Sequence, residues 1–263
     1  MNDQMSSAYG KLSRADTHLQ VLWNELKNFS GSNPYSLRSE TNLNSTEQVI
    51  RCSYFVDRFT DPPGHWPLLV GDAIQNMRAA LDHATWSLVV NQCSRTFTNG
   101  NQRSIYFPIH TTDGAFKRDL VISALRPEVR TILKKLQPYS REKNNPSRDA
   151  FVALRTLSNI DKHRALNVVV MQGHEGEVKT IPPLQGGRAL FVEKGPLCSG
   201  AQVVSFTATR PPPPSNVKVD FRLSVEISIQ SPKPAANVPL EIGLRELRAR
   251  TGEAVDRMRD IVA

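Results

Sequence analysis

The stretch GDAIQNMRAALDHATWSLVV, from Gly71 to Val90, constrains the chain more than any other. Ile74, Met77, Leu81, Ala84 and Leu88 recur at three- and four-residue steps, the spacing of a single buried helix face. A helix this apolar belongs in a core, yet it carries Asp72, Asn76, Arg78, Asp82 and His83. Burying such groups without partners is costly. Either the fold supplies partners for them, or they form a site.

Their positions are ordered. With Asp72 at zero and about 100° per residue, Asn76, Ala79 and His83 fall within about 40° of it, opposite the apolar stripe. Arg78 and Asp82 share an intermediate flank, four residues apart, where an ion pair along the helix forms readily. A second polar cluster, LSNIDKHRALN, lies in a later segment. There Phe151, Leu154, Ser158, Asp161 and Ala165 keep core spacing, so Asp161 is expected to face inward and to need a partner. Arg78, His83 or Arg164 are the cations in question. One reading joins Arg78, Asp82, Asp161 and Arg164 in an interhelical salt-bridge network that fixes the register of two core helices. The other has the same groups lining a cleft and acting on a substrate.

The remaining segments define the architecture. Leu12, Ala15, Leu19, Leu22, Leu26 and Phe29 predict a helix over about 5–29, and SGSNPYS breaks it. STEQVIRCSYFVDRF alternates as a strand, TDPPGHWP is a loop, and QCSRTFTNGNQRS closes the polar helix. IYFPIHTTDG is short and extended, and helical pieces follow around 114–125 and 127–137, the second restarting at Pro127. A helix is expected over about 147–166. NVVVMQG, RALFVEKG, AQVVSFTAT and NVKVDFRLSVEISIQ then read as strands of a small antiparallel sheet. RPPPPSN reads as a stiff connection, with a proline-recognising partner as the alternative. Leu240, Leu244, Leu247, Val255, Met258 and Ile261 predict a last helix that returns to the bundle. The expected fold is α+β, a single domain over 1–263. Its helical bundle covers 1–30, 66–166 and 238–263, and its β-rich segments cover 45–60 and 167–231.

Composition sets the function classes. The net charge of +8 attracts polyanions, of which nucleic acid is the common one, but no long Lys/Arg run forms a binding tail. The three cysteines, Cys52, Cys93 and Cys198, are scattered, which suits a reducing cytoplasm and gives no CxxC motif. The first residues lack the apolar core of a signal peptide, and no apolar run reaches membrane-spanning length. A cytoplasmic protein without membrane contact is expected. No P-loop, GxGxxG or GxSxG is present, so no cofactor is expected. His83, Asp161 and His163 carry metal-compatible side chains, but neither HxxxH nor HExxH occurs, so no metal is expected. His18, His65, His110 and His174 read as isolated surface or loop residues.

At RAALDH the sequence resembles the HEPN superfamily, helical bundles with an Arg-x(4–6)-His motif on a core helix. Many members are metal-independent endoribonucleases of toxin–antitoxin, phage-defence and CRISPR systems, and others bind nucleotides or serve as non-catalytic modules. The wider pattern GDAIQNMRAALDH … LSNIDKHR is similar to a group of bacterial proteins. The motif falls on Arg78 and His83, at its shortest spacing. Ala79 stands where ribonuclease members often carry a polar residue, and the segment from about 167 to 230 lies outside a minimal bundle of this kind. The resemblance implies that His83 is the general base or acid and that Arg78 stabilises charge on a scissile phosphate. Asn76 would orient the substrate or His83, and Asp82 would tune His83 or pair with Arg78. Asp161 and Arg164 would support the site, and Asp72 and His163 would contact substrate. RNA as substrate, a homodimer, and an antitoxin or other protein partner are implied. The alternative is a non-catalytic binding module whose Arg/Asp/His network is structural. A metal-dependent hydrolase using His83 and Asp161 is a third option.

Overall fold

The computed structural model describes residues 5–44, 49–92, 102, 105–164, 166–181, 188–191, 196–209, 218–230 and 239–262. RPPPPSN and nearly all of QCSRTFTNGNQRS lie outside these residues. The protein is α+β, as expected, and the chain divides into two compact units.

The first unit, residues 1–24, 64–167 and 229–263, is helical. Its centre is α2 (Trp66–Gln92), whose Ile74, Met77, Leu81, Ala84 and Leu88 are fully buried, as the stripe predicts. Trp66, Val70, Ala73 and Ala80 are buried as well, so the apolar face is broader than the stripe alone. The long α1 (Ser6–Gly31) buries Leu12, Ala15, Leu19 and Leu22 of its predicted face.

Between 113 and 141 four short helices replace the two expected pieces: α3 (Asp113–Arg118), α4 (Leu120–Ala124), α5 (Pro127–Lys135) and α6 (Pro138–Arg141). The break at Asp119 has a local cause. Its backbone is extended, and its carboxylate accepts the Val121 and Ile122 N–H groups, capping a new helix instead of continuing the old one. A 3-10 turn (Pro146–Arg148) leads into α7 (Ala150–His163), shorter at both ends than predicted. Asp149 caps its start by accepting the Phe151 N–H at 2.8 Å. Its end is set by Arg164, which is already extended at φ −161°. Helix α8 (Leu240–Val262) packs on α2, where the Thr85 hydroxyl lies 4.0 Å from Met258 Sδ. Of its predicted face, Leu240, Leu244, Leu247, Val255 and Met258 are buried. No helix among the described residues is long and apolar enough to cross a membrane.

The second unit, residues 25–63 and 168–228, is mainly β. A four-stranded antiparallel sheet runs in the order β1 (Tyr35–Asn44), β2 (Val49–Phe59), β5 (Gln202–Thr209), β4 (Arg188–Phe191). Strands β3 (Asn167–Ile181) and β6 (Lys218–Gln230) pair with each other. In β2 the alternation holds: Cys52, Tyr54 and Val56 are buried together with Val170, Leu197, Val203 and Val204. Strand β1 stands where only a break is expected. The break itself is real but short: α1 ends, Asn33 takes a left-handed φ of 52°, and Pro34 blocks any return to helix. Pairing with β2 along its whole length then holds the chain extended.

Candidate functional site

The polar groups of α2 divide among three neighbours. Arg78 and Asp82 form the ion pair their spacing predicts, with Nη2 to Oδ1 at 2.9 Å. Both also bind the backbone of one residue, Phe107. Arg78 Nη2 donates to the Phe107 carbonyl at 2.9 Å, and the Phe107 N–H donates to Asp82 Oδ1 at 2.8 Å. The two side chains thus complete the backbone hydrogen bonding of a residue that belongs to no helix or strand.

This explains a cost the sequence leaves open. Phe107, Pro108 and Ile109 are buried, so their backbone groups need partners that a strand would have supplied. The helices provide them. Arg155 Nη1 donates to the Ile109 carbonyl at 2.7 Å, and the buried Gln137 Oε1 accepts the His110 N–H at 3.0 Å. The Phe107 ring meets Phe151 edge to face at 5.4 Å. The extended segment is therefore fastened by side chains from α2 and α7 and by Gln137 at the start of α6. Arg155, Gln137 and Phe107 were not singled out from sequence. Their signal was the apolar run YFPI between polar loops, too short to be a strand with partners of its own.

Arg78 is only 14% exposed and Asp82 30%. Burial pulls the Arg78 guanidinium below its usual range, with Asp82 acting against that and the nearby Arg155 adding to it. Its Nη1 is buried and makes no hydrogen bond among the described residues. The exposed Tyr106 ring lies 6.0 Å from the guanidinium.

His83 is engaged elsewhere. Five residues along a helix is a rotation of about 140°, which turns it away from Arg78. Its Nδ1 lies 2.7 Å from the Ser7 hydroxyl on α1. Asp72, on the same line, faces His18 of α1 at 3.8 Å. His18 is therefore no isolated surface residue, and neither is His110, whose Nε2 sits 2.9 Å from Asp119. Asn76 does not orient His83; its amide donates to the Asp72 carbonyl one turn back in its own helix.

Asp161 departs from the four-member network predicted for it. It is half-buried, and its partner is Gln75, whose amide donates to Asp161 Oδ2 at 3.0 Å and to the Ser158 carbonyl at 2.9 Å. The Ser158 hydroxyl answers by donating to Gln75 Oε1. A neutral amide with two donors and one acceptor thus joins α2 to α7 where a cation was expected. Arg164 has left the helix and is exposed beyond its end, and His163 is exposed on its last turn. Asp161 lies so close over Gly71 that a Cβ there would overlap its Oδ1. Gly71→Ala is expected to expel the Asp161 carboxylate from Gln75 and to lower stability by about 1–2 kcal/mol, net of the helix propensity alanine adds. Combining it with Asp161→Ala should cost less than the two single changes added together, which a double-mutant cycle by urea unfolding measures. Strict additivity would show that the two residues do not touch.

No family model matches the chain, and no curated protein or solved structure matches it. The class its structure defines is an α+β protein whose central helix holds an internal extended segment through an Arg–Asp pair.

Proposed function

We propose that the chain is a non-catalytic binding module in which the Arg78–Asp82 pair is structural. The observation that carries this reading is the engagement of both side chains with the Phe107 peptide. A guanidinium that binds a scissile phosphate has to present its donors to solvent, and here Nη2 is committed to a carbonyl and a carboxylate. The partner surface in this reading is the β-rich unit. Strand β1, ten residues long, has β2 as its one neighbour in the sheet order among the described residues, and its outer edge suits pairing with an extended segment of another protein.

The competing reading, a HEPN-like metal-independent ribonuclease, is supported by the half-buried imidazole of His83 held by the exposed Ser7 and by the surplus of positive charge. One assay separates the two. Purified protein of known oligomeric state is incubated with mixed RNA in EDTA, beside a folded His83→Ala variant. The binding-module reading expects no cleavage above background from either. Cleavage by the wild type that the variant loses would overturn it and establish a metal-independent ribonuclease using His83.

A further inference from the structure

A second charged cluster lies away from α2, within the helical unit. Helix α8 and the C-terminal ends of α5 and α6 line an open cavity of about 290 Å³. Lys135, Arg141, Arg250 and Arg257 line it with Glu142 and Glu253, so cations outnumber carboxylates four to two. We propose that this cavity is a binding site for a small phosphate-bearing anion.

The argument rests on how the charges are held. Arg250, Glu253 and Arg257 share one face of α8, at steps of three and four. Glu253 sits between the two guanidinium groups, accepting from Arg250 Nη1 at 3.4 Å and from Arg257 Nη2 at 2.7 Å. One carboxylate thus orients two planar donor forks, and neither fork is exhausted by it. Across the cavity, Arg141 is mostly buried and placed from behind. Its Nε lies 3.5 Å from Asp149, and its guanidinium lies 5.3 Å from the centre of the Phe151 ring. Burial pushes the Asp149 carboxyl above its ordinary range, and Asp149 stands behind Arg141 rather than in the cavity lining. Glu246 approaches Arg250 at 3.9 Å but lines a different, largely apolar cavity. The groups that face this cavity therefore carry a surplus of two positive charges, which a phosphate group matches in charge and in its demand for several donors. The volume admits a molecule of a few heavy atoms to about the size of a diphosphate.

The test uses the full-length protein and inorganic pyrophosphate as probe, by titration calorimetry at low ionic strength. Arg257→Gln removes one fork from an exposed position where the lost ion pair costs the fold little. Arg245→Gln removes the same charge from another flank of α8, where it pairs with Glu241. The expected result is saturable binding, weakened about tenfold or more by Arg257→Gln and unchanged by Arg245→Gln. Displacement of pyrophosphate by a single-stranded RNA would support the site and assign its phosphate to a nucleic-acid backbone. Absence of binding to the wild type, or equal weakening by both substitutions, would overturn the proposal.

Discussion

Arg78→Ala is expected to lower the stability of the helical unit by about 2–3 kcal/mol, below the range of about 3–5 for breaking a fully buried ion pair, because the pair keeps some contact with water. The substitution leaves the Phe107 carbonyl buried without its donor and Asp82 without its cation. For a protein of this size the thermal midpoint should fall by about 5–10 °C, read by circular dichroism at 222 nm. Arg78→Lys should recover part of the loss, since one ammonium keeps the charge but not the forked geometry. Asp82→Asn should cost less than Asp82→Ala, because the amide oxygen still accepts the Phe107 N–H. An Arg78→Ala protein that melts with the wild type would remove the structural role argued for this pair, and with it the basis of the proposed function.

The larger effect belongs to the residue the pair holds. Phe107 is fully buried and packs against Phe151. Phe107→Ala should destabilise by about 3–5 kcal/mol, through lost burial and an unfilled cavity. It should also act on the backbone clamp, since a ring that no longer anchors the segment lets the peptide drift from Arg78 and Asp82. The combined Phe107→Ala/Arg78→Ala variant is therefore expected to be clearly more stable than the sum of the single losses implies. Chemical denaturation of all three variants measures this coupling. Additive losses would mean that ring and clamp hold the segment independently.

Much of the helical unit was legible because helix periodicity is local. Three- and four-residue spacing located α1, α2, α7 and α8 and most of their buried faces, and Pro127 marked the start of α5. The Arg78–Asp82 pair was legible for the same reason, being one turn apart on one helix. Strand β1 was not. YSLRSETNLN has no sustained apolar alternation, and its extended state comes from pairing with β2. The break at Asp119 was missed because the same carboxylate is compatible with a helix interior or with a cap, and only the surrounding packing selects the cap.

The sequence by itself determined the central stripe of α2 that is buried, which polar residues share a face, and that those turned inward require partners, since these follow from a fixed rotation per residue and from the cost of burying charge. The tertiary structure alone decided who those partners are. Gln75 satisfies Asp161, Ser7 and His18 of α1 meet His83 and Asp72, and the peptide of Phe107 occupies Arg78 and Asp82. Each of these partners lies 25 or more positions away along the chain, where residue spacing carries no distance information and only the packing of one element on another brings donor and acceptor together.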